Sequence, residues 1–256
     1  MKSIFLTVII PSYNEAENIQ RGVLADVYGY LKKQDFSWEV IVSDDGSSDG
    51  SLALVKKVVK HVKGFSLLEN SHEGKPSALW YGIKKARGKY VLFTDMDQST
   101  PIDQLAKLIS GAESGHKVVI GSRGLSRKNF PLYRRLGAAV FMSLRKSMIL
   151  PEINDTQCGF KLFDRKVLLK AFPKLEFFKT LGKSVSGWKV TSFDVELLHI
   201  IKKMGYAIIE IKVDWEGKDE STGKGNSLQR YVKESYEMLL QVARVRLNDL
   251  RGAYEP

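Results

Sequence analysis

The amino-acid sequence predicts an α/β fold, with a mostly parallel central sheet and a C-terminal helical extension. Three observations carry that expectation. Apolar runs alternate with helical periodicity through the first half of the chain, and repeated strand–helix–strand units with right-handed crossovers put helices on both faces of a parallel sheet. The first of those runs is continuously apolar, as a strand buried on both faces is. A long helical pattern closes the chain after a polar, Gly-rich stretch.

Taken in order, Ile4–Ile10 is the first strand. It is interrupted by Thr7 and stopped by Pro11, too short for a targeting or membrane segment. Glu15–Lys33 reads as a helix and Trp38–Ser43 as the second strand. Ser48–Val62 is helical, with Leu52, Val55, Val58 and Val59 on one stripe. Phe65–Glu69 is a third strand, and the helix Gly74–Arg87 is stopped by Gly88. Tyr90–Thr94 is a fourth strand, Pro101 suits the first position of another helix, and Lys117–Gly121 is a fifth strand.

Beyond Gly121 the pattern changes. Pro131–Leu150 is a long helix in which Leu132, Leu136, Val140, Leu144 and Met148 recur every four residues. Arg134 and Arg145 are eleven residues apart, as are Arg135 and Lys146, so each pair falls on nearly one face. A motif-rich segment (Asp155–Asp164), a Phe/Lys-rich loop (Phe172–Lys189), a helix (Ser192–Met204) and a strand (Tyr206–Val213) follow. Glu216–Asn226 reads as a mobile loop, and a last helix runs from about Leu228 to Leu250.

Composition narrows the function classes. With 256 residues and 43% hydrophobic content, the chain has enough material for one sizeable core. Cys158 is the sole cysteine, so no disulfide forms within the chain, which fits a reducing compartment. There is no signal peptide, and no apolar stretch reaches the roughly 18–20 residues of a membrane span. The expectation is a cytoplasmic protein, soluble or held peripherally at the inner face of a membrane. The formal net charge of +11 favours anionic partners. No acid lies between Glu113 and Glu152, a stretch that carries Lys117, Arg123, Arg127, Lys128, Arg134, Arg135, Arg145 and Lys146. Two readings stand: a solvated face with structural ion pairs, or a surface turned to phosphate or membrane.

Open parallel sheets bind ligands beyond the carboxyl ends of their strands. Three such ends are chemically loaded here: Pro11-Ser12-Tyr13-Asn14-Glu15, Asp44-Asp45-Gly46-Ser47 and Asp95-Met96-Asp97. One of them alone would read as turn and cap chemistry. Three together gather carboxylates that repel unless a cation sits among them. Asp95 and Asp97 have the spacing to hold it, and oxygen ligands select Mg²⁺ or Mn²⁺. The sequence contains no P-loop and no dinucleotide fingerprint after the first strand. His61, His72, His116 and His199 lack metal-ligand spacing and read singly as surface or core histidines, and Cys158 has no evident activating partner. A nucleic-acid-binding role would explain the charge but not the carboxylates, so no nucleic acid is expected.

VIIPSYNE, VSDDGSSDGS and FTDMDQSTP, in this order and spacing, resemble the family 2 glycosyltransferases. Gly121-Ser122-Arg123, DTQCGFKLF (Asp155–Phe163) and SFDVELL (Ser192–Leu198) further resemble the dolichyl-phosphate β-glucosyltransferases, with the dolichol-phosphate mannose synthases more distant. The resemblance implies a GT-A-type, Rossmann-like nucleotide-binding domain over residues 1–215, with a nucleotide half (1–122) and an acceptor half (123–215), then the loop and helix of 216–256. It implies an inverting, metal-dependent transfer of a hexose, glucose from UDP-glucose, to a polyprenyl or dolichyl phosphate. A soluble or cell-envelope glycan acceptor is the alternative. Pro11, Tyr13 and Glu15 then border the nucleotide and Asp44 contacts the base, with Asp45 beside it or supporting the turn. Lys75, at a helix start that itself favours an anion, reaches the diphosphate or stays an exposed lysine. Asp95 and Asp97 bind the metal, sugar and diphosphate. Asp97, Asp155 and Asp194 are the catalytic candidates. Asp194, three residues after Thr191, equally suits a capping box. Arg123, Arg134 and Arg135 are the cations for an acceptor phosphate. Such a phosphate, with a second pKa of about 6, is mostly dianionic at neutral pH and needs positioning rather than a general base.

Overall fold

The computed structural model describes residues 3–124, 132–179, 193–217 and 227–255. Its sheet contains β1 (Leu6–Ser12), β2 (Trp38–Asp44), β3 (Phe65–Glu69), β4 (Tyr90–Phe93), β5 (Val118–Ser122), β6 (Lys161–Asp164) and β7 (Ile208–Lys212). They lie in the order β3-β2-β1-β4-β6-β5-β7. The pairs β1–β2, β1–β4, β2–β3 and β5–β7 are parallel, whereas β6 is antiparallel to both β4 and β5. β6 lies inside the motif-rich segment Asp155–Asp164, where no strand was expected. It inserts between β4 and β5, and so brings the chain that follows β5 back into the sheet of the earlier strands.

β1 runs two residues further than its apolar run predicts, through Pro11 to Ser12. Pro11 is tolerated in this central strand because β4 pairs only with Leu6–Ile9, so on that side no partner needs the missing N–H. The predicted helix Glu15–Lys33 is two helices, α1 (Ala16–Gln20) and α2 (Val23–Leu31). Gly22, at φ 92°, breaks them, a conformation that costs glycine no steric penalty. Then come α3 (Ser51–His61), α4 (Lys75–Lys85), α5 (Leu105–Glu113), α6 (Leu132–Met148), α7 (Arg165–Ala171), α8 (Glu176–Lys179), α9 (Phe193–Lys203) and α10 (Ser227–Leu250). The first part of the expected Phe172–Lys189 loop is ordered as a 3₁₀ turn and α8, and its remainder lies outside the described residues, as does most of Glu216–Asn226.

Alternate sheet residues feed two apolar cores, one on each face. Ile9, Ile41, Phe93, Ile120 and Phe163 join residues of α4, α7, α9 and α10. Val8, Ile10, Val40, Val42, Leu92 and Leu162 join residues of α2 and α5. Burial on both faces explains the apolar run of the first strand, broken only at Thr7. Parallel pairing leaves the carboxyl ends of β1, β2 and β4 on a common edge.

Candidate active site

At the β2 end, Asp44 is turned inward. Its carboxylate accepts from Gly46 N (3.0 Å), Ser47 N (2.9 Å) and Ser47 Oγ (2.6 Å), holding the Asp-Gly-Ser turn. Asp45 is also buried and accepts from Glu73 N (3.0 Å), Gly74 N (2.9 Å) and His72 Nδ1 (2.8 Å). Burial pushes the Asp45 carboxyl above the usual range, against those hydrogen bonds. His72 in turn stacks on Tyr13 with ring centroids 4.1 Å apart and planes 12° from parallel. The ends of β1, β2 and β3 are thus tied through Tyr13, His72 and Asp45. No local pattern marks a partner for His72, because Asp45 lies 27 residues away. Glu15 sits at the start of α1, where its N–H donates to Ser51 Oγ at 2.7 Å and its carboxylate accepts from Asn18 at 2.5 Å.

At the centre, Lys75 opens α4 and donates to Asp95 Oδ1 at 2.5 Å. Lys75 is not an exposed lysine: its ammonium is largely covered. Burial would lower its pKa, but the carboxylates of Asp95, Asp194 and Asp97 outweigh burial and raise it. For Asp95 burial acts upward, and the nearby Lys75, with Lys161 and Arg123, holds the carboxyl below its ordinary value. Gly159 lies hard against this carboxylate, and a Cβ there would come within 2.0 Å of Asp95 Oδ2. Asp97 accepts from Ser99 N (2.9 Å) and Ser99 Oγ (2.8 Å), which fixes the turn after β4.

The donor set fits a hard divalent cation. No group of three His, Cys, Asp or Glu side chains among the described residues could cage a metal. A Mg²⁺ or Mn²⁺ site that draws most ligands from a diphosphate and water needs only one or two carboxylates. Asp95 and Asp97 would supply them from one turn, with Lys75 as a second positive group beside them.

On the acceptor side, Arg123 forms a forked pair with Asp155, Nε to Oδ2 at 2.7 Å and Nη2 to Oδ1 at 2.8 Å. Burial would lower the Arg123 pKa, but the Asp155 carboxylate raises it. The Arg123 guanidinium also lies 5.7 Å from the Trp215 ring centroid. Asp194, in the first turn of α9, accepts from Lys161 Nζ at 2.6 Å. Its suggested capping partner, Thr191, lies outside the described residues, as do the side chains of Arg134 and Arg135. Asp95, Lys75, Gly159, Phe193 and Asp194 line one small cavity, with Pro11 on its wall. Asp194 is thus the one acceptor-side candidate that lines this cavity with Lys75 and Asp95, and Asp97, Arg123 and Asp155 do not line it. Asp44, Asp45 and Tyr13 are on the same sheet edge but do not line that cavity.

Arg145 departs from the basic face that its spacing from Arg134 predicts, because it is 1% exposed. Its guanidinium donates to the main-chain oxygens of Leu150 (3.1 Å), Ile153 (2.6 Å) and Asn154 (3.1 Å). The chain turns back after α6, and those carbonyls need donors.

Comparison with known proteins agrees with this architecture. The sequence model of glycosyl transferase family 2 matches residues 7–172. The chain is 29% identical to a dolichyl-phosphate beta-glucosyltransferase of Dictyostelium discoideum, over 99% of this chain and 77% of the relative. It is 30% identical to that of Saccharomyces cerevisiae over the same shares, 99% and 77%. Among solved structures, mannosyl-3-phosphoglycerate synthase from Rubrobacter xylanophilus is similar with a TM-score of 0.63 at 17% identity, over 97% of this chain and 75% of that one. Glucosyl-3-phosphoglycerate synthase from Mycobacterium tuberculosis, solved with Mn²⁺, UDP and glucosyl-3-phosphoglycerate, gives 0.62 at 19% identity, over 95% of this chain and 80% of that one.

Proposed function

This chain belongs to glycosyl transferase family 2 and has the GT-A fold, and from that premise we propose that it transfers glucose from UDP-glucose, with inversion, to a dolichyl or other polyprenyl phosphate, using Mg²⁺ or Mn²⁺. One observation carries the reading. The chain is similar over nearly its whole length to dolichyl-phosphate beta-glucosyltransferases, and Gly159, within Asp155–Phe163, lines the cavity hard against Asp95.

The nucleotide half (1–122) presents the donor. Pro11, Tyr13 and Glu15 border the nucleoside, with Asp44 and Asp45 shaping the turn beneath it, and Lys75 neutralises diphosphate charge. A divalent ion held by Asp95 and Asp97 would neutralise the diphosphate oxygens and the leaving nucleotide. The acceptor half (123–215) handles the lipid phosphate. Because that phosphate is already dianionic, the protein's task is positioning and charge neutralisation. A guanidinium carries five N–H donors, more than one carboxylate takes up, so Arg123 can hold Asp155 and still face a phosphate. Arg134 and Arg135 are the further cations of this reading, and Asp194 orients the acceptor.

A peripheral contact with an anionic lipid surface belongs to the same proposal. No helix among the described residues is long and apolar enough to cross a membrane. Val140 and Leu144 on α6, and Tyr236, Leu240, Leu247 and Leu250 on α10, are exposed apolar groups on two helices that pack together. Arg244, Arg246 and Arg251 flank the α10 stripe, a charge pattern suited to anionic headgroups.

Incubation of the chain with radiolabelled UDP-glucose, Mn²⁺ and dolichyl phosphate in detergent tests the reaction. Label is expected in the lipid phase, and is expected to be lost in EDTA and in Asp97→Ala. Label in a soluble glycan and none in lipid would replace the acceptor, and full activity in EDTA would end the metal-dependent mechanism.

A further inference from the structure

We propose that Lys161 is the positioning residue that aims Asp194 at the acceptor and joins the donor and acceptor sides of the site. The inference rests on the transferase reading and adds to it a residue that the sequence motifs did not single out.

The position itself is unexpected for a charge. Lys161 opens β6, an interior strand, and its cross-strand neighbours are Phe93 on β4 and Ile120 on β5. Both neighbours are buried in the same apolar core. Side chains alternate along a strand, so Lys161 falls on the face of Phe163, two residues on, which is also in that core. An apolar side chain would satisfy the packing. Instead an ammonium is 1% exposed there. Lysine is almost never buried without a partner, and a buried ion pair is not by itself a good stabiliser compared with apolar packing.

Its partners say what the charge does. Nζ donates to Asp194 Oδ1 at 2.6 Å and to the main-chain oxygen of Cys158. The first contact fixes a carboxylate that lines the cavity on the acceptor side. The second pins the peptide leading into Gly159, the residue packed against Asp95. One buried ammonium thus sets the direction of Asp194 and braces the wall beside Asp95. Lys161 need not touch either substrate to do this.

A double-mutant cycle separates this role from plain structural support. Lys161→Met, Asp194→Asn and the double variant are compared with wild type on the acceptor that the wild-type chain uses, lipid phosphate or glycan. Each single variant is expected to lower kcat by on the order of 10²-fold, the cost of misplacing a reacting group by about an ångström. The double variant is expected to be no slower than the slower single one, because both changes remove the same alignment. The Kd for UDP with Mn²⁺, measured by calorimetry, is expected to stay within about threefold, while the Tm of Lys161→Met is expected to fall, because a carboxylate and a carbonyl lose their buried donor, and to recover in part in the double variant. Lys161→Gln, whose amide can still donate to the Cys158 carbonyl, serves if the methionine variant does not fold, and it is expected to show the same kcat loss. Multiplying effects in the double variant overturn the proposal. So does a kcat loss that disappears when the assay is run well below the variant's Tm, or an unchanged kcat in the glutamine variant. A wild-type chain that ignores lipid phosphate but uses a glycan refutes the acceptor reading while leaving the cycle decisive for Lys161.

Discussion

At the residue scale, the site is a set of opposite charges held at short range: Lys75 with Asp95, Arg123 with Asp155 and Lys161 with Asp194. Each pair joins two separate segments, so each side chain has its direction set from outside its own turn. Gly159 shows how tight the setting is. Adding a single methyl there would meet Asp95 Oδ2 at 2.0 Å, and the carboxylate or the Cys158–Gly159 turn must shift. Overpacking of this kind costs about 1–3 kcal/mol. Gly159→Ala is therefore expected to fold with a modestly lower Tm and to bind UDP-glucose with Mn²⁺ about tenfold more weakly or worse, since about 1.4 kcal/mol at the binding site is a tenfold change. Calorimetry that finds unchanged donor affinity would show that Asp95 has room to move and that its position is not critical.

At the element scale, α9 and α10 are clamped by buried polar groups as well as by apolar packing. Glu196, in the interior, accepts from Tyr254 Oη (2.8 Å) and Glu176 N (2.9 Å). His199 Nε2 lies 3.3 Å from Asp249 Oδ1, which also pairs with Lys203 at 3.0 Å. Burial depresses the His199 pKa below its ordinary 6.5, more than the Asp249 carboxylate raises it. The sign follows by linkage. With the folded pKa below the unfolded one, the contribution of His199 is intact above pH 6.5, and it is lost as pH falls from there through the folded value. Asp249, whose pKa is also lowered, adds a second loss only below its ordinary 3.8. The Tm is thus expected to decline as pH falls below 6.5, and His199→Gln is expected to flatten that segment of the curve. An identical slope in the variant would mean that another group controls acid sensitivity there.

At the scale of the whole molecule, charge and exposed apolar surface set how the protein meets a membrane. The net charge is +11, and Val140, Leu240 and Leu247 are 57%, 51% and 51% exposed. Basic residues near an anionic bilayer contribute about 1 kcal/mol each, so a few of them with a shallow apolar stripe give reversible attachment. Co-sedimentation with liposomes is expected to require anionic lipid, to weaken with salt and to fall sharply in Leu240→Asp/Leu247→Asp. Arg145→Gln behaves differently. It weakens the donors to three main-chain carbonyls, those of Leu150 and Ile153 buried and that of Asn154 half-buried, so it is expected to lower Tm while the folded fraction still sediments. Sedimentation that ignores lipid charge, or survives the double aspartate variant, would move the contact to another surface.

The sequence by itself determined the α/β class, the three carboxylate-bearing strand ends, the Asp95–Asp97 pair and the resemblance to family 2 glycosyltransferases, because these are written in neighbouring residues. The apolar run Ile4–Ile10, broken only at Thr7, marks the first buried strand wherever it pairs, and Asp-Met-Asp is one local turn. Tertiary structure alone decided the rest. β6 is four residues long and hidden in a motif, too short to show a period, and only its pairing with β4 and β5 makes it a strand. Arg145 matched the spacing of a solvated face, but the returning chain buried it under the carbonyls of residues 150, 153 and 154. His72 and Lys161 acquired roles from Asp45 and Asp194, 27 and 33 residues away. Local periodicity reports which face a side chain takes. The charge it meets there depends on which distant strand or helix is laid beside it, and that is a property of the assembled sheet.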